Sequence, residues 1–288
     1  RGVRLIQPIA ERIGFDSREI EILKSLILHH LLLSSTATRR DLDDPATIQA
    51  ILDVVPDMQH LELLHALSIA DGEATGKGAW SDWKARLVRD LVSRVKQAMS
   101  GTLVAPEMEL TESQILSAST SDIKVTLEES DGSYLLELIA PDSTGLFSKV
   151  AGALNLLKFD IRAAKTRTHG KSAVMNWIVN LDPFAQLPAE AEIKAAIESA
   201  LVDTENLGQR IEAKIRSYAP LPGVSVPPPE IEIIEDISSS ATIIEIRSHD
   251  RPALLFRIGL AVKELNIDIR SVIASTLGAE AIDTLYVT

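Results

Sequence analysis

Two segments, residues 123–168 and 231–276, carry the same order of apolar and polar positions at a fixed offset of 108 residues, that from Asp142 to Asp250. The same offset lays Glu137 on Glu245, Leu146 on Leu254, Asp160-Ile161-Arg162 on Asp268-Ile269-Arg270, Thr168 on Thr276 and Gly170 on Gly278. Self-similarity at a fixed period marks a duplicated unit. In each copy an apolar run (Tyr134 to Ile139; Thr242 to Ile246) leads to a turn with an acidic residue. An amphipathic helix and a second extended stretch follow, then a glycine turn and a third strand, so the period changes from 2 to 3.6 and back. The first helix carries Leu146, Val150, Ala153, Leu154 and Leu157 on one stripe, and the second carries Leu254, Ile258, Ala261, Val262 and Leu265. The order β-α-β-β opens a ferredoxin-like βαββαβ unit. The sequence stops at Asp283-Thr-Leu-Tyr-Val-Thr288, before any counterpart of the second helix predicted at Ala189 to Leu201. The second copy is therefore expected to expose a sheet edge, with pairing to another copy of the unit as the remedy.

The first hundred residues follow a different pattern. From Leu5 to Ala98 the period is mostly helical. Asp16-Ser17-Arg18-Glu19 reads as a capping box with Phe15 and Ile20 placed as a hydrophobic staple, which predicts a helix from Ser17. Its second half, Leu26-Ile-Leu-His-His-Leu-Leu-Leu33, is apolar on all sides and would carry His29 and His30 into a buried region. Buried histidines serve either as hydrogen-bonded core residues or as metal ligands. Farther on, Leu64, Leu67 and Asp71 fall at i, i+3 and i+7, which puts a carboxylate on the stripe that faces a core. A buried carboxylate needs a cation or donors, so Asp71 either joins a histidine in a divalent-metal half-site or ends its helix and faces water beside Gly72. Gly72-Glu-Ala-Thr-Gly76-Lys77-Gly78 has the look of a phosphate loop, but it follows a helix and has Gly78 where Ser or Thr would hold magnesium.

Composition narrows the classes. The chain has 288 residues, 45% of them hydrophobic, enough for two or three cores. A net charge of −12 speaks against nucleic-acid and anionic-membrane surfaces, which call for a basic face. With no cysteine, disulfides and thiolate metal sites are excluded, which fits a cytoplasmic protein. No apolar stretch approaches the roughly 18 residues of a membrane span. Pro220 to Pro229 reads as a stiff linker and Met99 to Thr120 as a softer junction. The expected domains are residues 1–100, all helical, and the two repeats at 122–218 and 230–288, joined through 101–121 and 219–229.

The repeated strand, acidic turn and helix resemble the ACT domain, a small-molecule sensing module that commonly binds amino acids. The turns are Asp142-Ser143-Thr144-Gly145-Leu146 and Asp250-Arg251-Pro252-Ala253-Leu254. NH groups at a helix N-terminus suit a ligand carboxylate, leaving Asp142 or Asp250 either to receive an ammonium group or to cap its helix. Ala253 stands where the ACT pattern has Gly after Pro, and Gly145 is present without the Pro.

The run His29-His30-Leu-Leu-Leu-Ser34, Thr36-Ala37 and Arg39-Arg40-Asp-Leu-Asp-Asp-Pro45, with Ala70-Asp71, Ala74-Thr75-Gly76 and Trp80-x-x-Trp83-Lys84, resembles the bifunctional uridylyltransferase/uridylyl-removing family that modifies the PII nitrogen-signalling protein. The resemblance implies an α+β, multidomain chain: the end of an all-α HD-type metal phosphohydrolase domain, then two ferredoxin-like ACT domains. It also implies Mg or Mn held with the help of His29, His30 and Asp71, PII as partner, glutamine as effector, and an ACT-mediated homodimer as an option. Arg39 and Arg40 would contact phosphate or an acidic PII surface, or form a solvated charge pair at a helix end. The family's His-Asp doublet and transferase motif have no counterpart in these residues, so neither active site is complete. Two other readings stand beside it: a stand-alone amino-acid sensor, and an alarmone-type HD hydrolase with ACT regulation.

Overall fold

The structure, a computed structural model, describes residues 2–76, 80–101, 110–120, 122–130, 132–217, 227–235, 238, 241–277 and 279–288. It divides into two compact units, Arg1–Glu107 and Met108–Thr288.

The first unit is helical: α1 (Gly2–Ile13), α2 (Ser17–His29), α3 (Leu32–Arg39), α4 (Pro45–Leu52), α5 (Met58–Thr75) and α6 (Asp82–Met99). Their starts are written in the sequence. Asp16 accepts from the Glu19 amide at 2.8 Å while Glu19 accepts from the Asp16 amide at 2.8 Å, the expected capping box. Asp44, Asp57 and Ser81 likewise accept first-turn amides of α4, α5 and α6. The core gathers Leu33, Ala37, Ile48, Ile51, Leu61, Leu64, Val88, Leu91 and Val95.

One expectation fails here, and one open alternative is decided. The helix through His30 and Leu31 stops at His29, because His30 Nδ1 turns back to the Ile27 carbonyl at 2.9 Å and a new helix starts after Leu31. The break turns the apolar run: Leu33 is buried, but Leu28 is 64% and Leu31 54% exposed, His30 is exposed and His29 only half-buried. On α5 the inward stripe is Leu61, Leu64 and Ser68, not Leu64, Leu67 and Asp71. Its next position is Gly72, where a Cβ would overlap the Trp80 ring, and Asp71 is exposed.

The second unit begins with α7 (Glu112–Ala118), a capped helix inside the stretch expected to be a soft junction. Copy one then runs β1 (Lys124–Ser130), β2 (Ser133–Pro141), α8 (Leu146–Leu156), β3 (Phe159–His169), β4 (Ser172–Leu181), α9 (Glu190–Val202) and α10 (Thr204–Ser217). Copy two runs β5 (Glu230–Ile234), β6 (Thr242–His249), α11 (Leu254–Glu264), β7 (Ile269–Leu277) and β8 (Glu280–Val287). The linker residues 218–226 lie outside the described residues.

All eight strands form one antiparallel sheet in the order β1-β2-β4-β3-β7-β8-β6-β5. Each half has the ferredoxin-like neighbour pattern, but the strand beside the first core strand comes from before it in sequence. A tight reversal, Ser130 opposite Ser133, brings β1 onto β2, and a local hairpin closes at small entropy cost. The edge beside β6 is filled by β5 in the same way, so the second copy has a complete four-strand half. The copies meet through β3 and β7, with Ala163 opposite Ile273 and Lys165 opposite Ser271.

The duplication is backbone-deep. Gly145 and Ala253 both adopt the left-handed region, as do Lys158 and Asn266. Register shifts fall between Ile161 and Ala163 and between Ile269 and Ser271. The Asp142 amide bonds the Lys171 carbonyl and the Asp250 amide the Ala279 carbonyl, each at 2.9 Å. On one face of the sheet α8 lies against α11: a Cβ on Gly152 would come 2.9 Å from Phe256, and one on Gly259 3.0 Å from Phe147. The shared core holds Trp177, stacked on Phe147 with ring centroids 5.1 Å apart.

Candidate functional site: two cavities between the copies

The crossing of α8 and α11 leaves two cavities related by the internal repeat. The larger, about 500 Å³, is lined by Asp142, Ser143, Thr144, Gly145 and Leu146 of copy one, and by Lys263, Asn266 and Asp268 of copy two. The smaller, about 70 Å³, is lined by Asp250, Arg251, Ala253 and Leu254 of copy two, and by Asn155, Asp160 and Ile161 of copy one. Each acidic turn thus faces the helix end and following strand of the other copy. Of the residues singled out in the two turns, Pro252 alone does not line a cavity.

The turns work without side-chain caps. Gly145 and Ala253 occupy the N-cap positions with no side-chain hydrogen bond, so the first amides of α8 and α11 lack a side-chain cap. Asp142 accepts from the Thr168 hydroxyl at 3.0 Å and caps nothing. The Asp250 carboxylate has no hydrogen-bond partner among the described residues, which sets aside capping as its role too.

The cavities differ in charge. The larger offers Asp142 and Asp268 with Lys263, whose stem lies against Gly145. The smaller gathers Asp160, Asp250 and Asp283. Asp283 stands on β8 where the repeat puts Met175 on β4, opposite Ile246 and Ala274. It is 3% exposed, and its Oδ2 has no partner. Burial, then the charges of Asp250 and Asp160, push its carboxyl up to about 7. Asp160 pairs with Arg162 at 2.7 Å and keeps 59% of its side chain in solvent. Crowding by neighbouring protein atoms still raises its carboxyl, against the pull of Arg162.

Sequence reading found the turns but missed their partners. Asp160 and Asp268 were visible as a repeated Asp-Ile-Arg motif, without a sign that each faces the opposite copy. Asp283 carried a signal in the alignment of the copies, a carboxylate in place of a core methionine.

In the helical unit the candidate residues do not converge. His30 is turned to Ile27, His29 is half-buried and Asp71 is exposed. Among the described residues no group of three or more His, Asp or Glu side chains is placed to hold a metal ion, so His29, His30 and Asp71 do not by themselves make a Mg or Mn centre. Arg39 and Asp71 flank Lys84 closely enough to act on it: burial lowers its ammonium pKa, Arg39 lowers it further and Asp71 opposes. Arg40 reaches the Arg39 carbonyl at 3.2 Å. No helix among the described residues is long and apolar enough to cross a membrane.

Comparison with known proteins gives the family context. The chain is 34% identical to a bifunctional uridylyltransferase/uridylyl-removing enzyme of Streptomyces coelicolor, with 100% of this chain and 40% of that enzyme aligned. The enzyme of the same description from Mycobacterium tuberculosis is 35% identical, over 100% of this chain and 37% of its own length. Its relatives are bifunctional uridylyltransferase/uridylyl-removing enzymes. One from Erythrobacter litoralis, at 29% identity, again aligns over 100% of this chain. The chain spans about 40% of the length of the curated relatives it matches, their C-terminal part. No protein-family model and no solved structure matches.

Proposed function

We propose that this chain is the regulatory and partial hydrolase region of a bifunctional enzyme that adds a uridylyl or adenylyl group to the PII nitrogen-regulatory protein and removes it. The helical unit is the end of the HD-type domain, and the repeated unit is a pair of ACT domains that sense glutamine. Supporting the sensor assignment is one observation: the larger cavity holds two carboxylates, a lysine and a side-chain-free helix N-terminus between the two copies. A zwitterionic amino acid presents the complementary charges. Its ammonium group goes to Asp142 and Asp268, and its carboxylate to the first amides of α8 and Lys263. Because the lining comes from both copies, a ligand there favours the spacing of α8 and α11 that fits it, and shifts populations by its differential affinity. His29, His30 and Asp71 belong in this reading to a metal site completed by residues from elsewhere in the parent enzyme, and Arg39 and Arg40 to the surface that meets PII or phosphate.

The test is calorimetric titration of the chain with glutamine, repeated on Asp142→Ala and Asp250→Ala. Binding that Asp142→Ala weakens at least tenfold supports the larger cavity as the glutamine site. Loss confined to Asp250→Ala rules out the larger cavity as the glutamine site. No heat from a folded protein removes glutamine as the effector of this chain.

A further inference from the structure

We propose that the smaller cavity is a site for a compact primary-ammonium cation, held by Asp160, Asp250 and Asp283, and that it is distinct in ligand class from the larger, amino-acid cavity. Three carboxylates from three elements line it: β3, the turn after β6, and β8. The decisive one is Asp283. Its side chain is almost wholly buried, lines the cavity, and leaves Oδ2 without a donor. A buried carboxylate without a partner is costly unless a cation or donor meets it. At the matching place in the larger cavity stands Met175, which asks for neither.

Size and surroundings narrow the ligand. A cavity of about 70 Å³ holds a group of a few heavy atoms, since one water needs roughly 10–15 Å³ on such a measure. A primary ammonium group is compact and has three donors to share among carboxylates. Arg251 lines the cavity but is exposed and ion-paired with none of the three acids. Arg162 is committed to Asp160. From α8 comes the uncharged Asn155, which accepts from Lys214 of α10 at 2.9 Å, and from β7 come Ala274 and Thr276. Among the described residues no cationic side chain is paired with Asp283. A cation arriving there displaces the proton that burial and the neighbouring acids keep on it, so binding releases a proton near neutral pH.

The experiment titrates the chain at pH 7 and pH 8 with ammonium chloride, methylammonium chloride and, as a size control, tetramethylammonium chloride. Two buffers of different ionisation heat count the protons released. Saturable binding of ammonium or methylammonium is expected, with up to about half a proton released at pH 7 and less at pH 8. Tetramethylammonium should not bind. A stronger methylammonium response would assign the site to the head of an amine, and a stronger ammonium response to the free ion. Asp283→Asn should abolish proton release and weaken binding at least tenfold. Should that variant not fold, Asp160→Asn, at an exposed position, should weaken binding severalfold. Equal response to all three salts, or no binding at pH 8, overturns the proposal. So does binding that Asp283→Asn or Asp160→Asn leaves unchanged. Because glutamine is absent, failure here leaves the larger cavity's assignment standing, and the glutamine titration fails or succeeds separately.

Discussion

Copies one and two of the repeat share a backbone but not a finish. Copy one carries α9 and α10 over its sheet, so Val125 and Ile123 pack against the core. Their counterparts in copy two, Ile233 and Ile231, are 63% and 65% exposed. Copy one fills its centre with Trp177, and copy two places the smaller Leu285 there. At the cavities copy one has Gly145 and Met175, and copy two has Ala253 and Asp283. Strand order, bulges and left-handed turns fix where two sites form, whereas a few side chains decide what each accepts.

The largest expected effect lies in the shared core. Trp177→Ala should cost about 3–5 kcal/mol, read as a lower denaturation midpoint, while Leu285→Ala, within the about 2–5 kcal/mol range of a buried leucine, should cost less than Trp177→Ala. Equal losses would mean that the two halves contribute alike despite their different centres. Next comes Asp283. Its folded pKa is raised to about 7 from 3.8, so the folded chain holds a proton that the unfolded chain gives up. Its contribution is fully present below about pH 4 and is lost as pH rises through about 7. Asp283→Asn should remove that slope and stabilise the chain by up to about 4 kcal/mol above pH 8. The check is the difference between variant and parent in denaturation series from pH 5 to 9, and a flat difference would show that the two cavities carry no such asymmetry. The smallest effect tests the turns. Ala253→Gly should gain about 0.5–1 kcal/mol by relieving left-handed strain, and Gly145→Ala should lose about 1 kcal/mol. Thermal unfolding of the pair reads both signs, and the same sign for both would break the equivalence of the turns.

Much of this was legible beforehand. The offset, the strand-turn-helix order and the two acidic turns follow from period and from residues with fixed local roles, such as Asp16 with Glu19. Local physics also wrote the start of α2, and the caps at Asp44, Asp57 and Ser81 follow the same rule in the structure. Two features escaped because they are decided at a distance. The stripe on α5 goes to Gly72 rather than Asp71 because Trp80 needs the room, and i, i+3, i+7 spacing fits either course. The fourth strand of each half precedes its first core strand, and strand patterns alone do not say on which side in sequence an edge will be filled. Asp160 and Asp268 were seen only as repeats, since their partners lie across an interface that no single copy encodes.

The sheet's two outer strands set how this molecule behaves among its own kind. Joining β3 to β7 within one chain uses up the edges that the repeats have in common, and leaves β1 and β5 at the ends of the ribbon. An open ribbon of that sort is a template for head-to-tail growth. Glu128 and Glu129 sit on one end strand and Glu230 and Glu232 on the other, in a chain of net charge −12. Approaching ends therefore meet as acid on acid, which disfavours pairing of one end strand with the other.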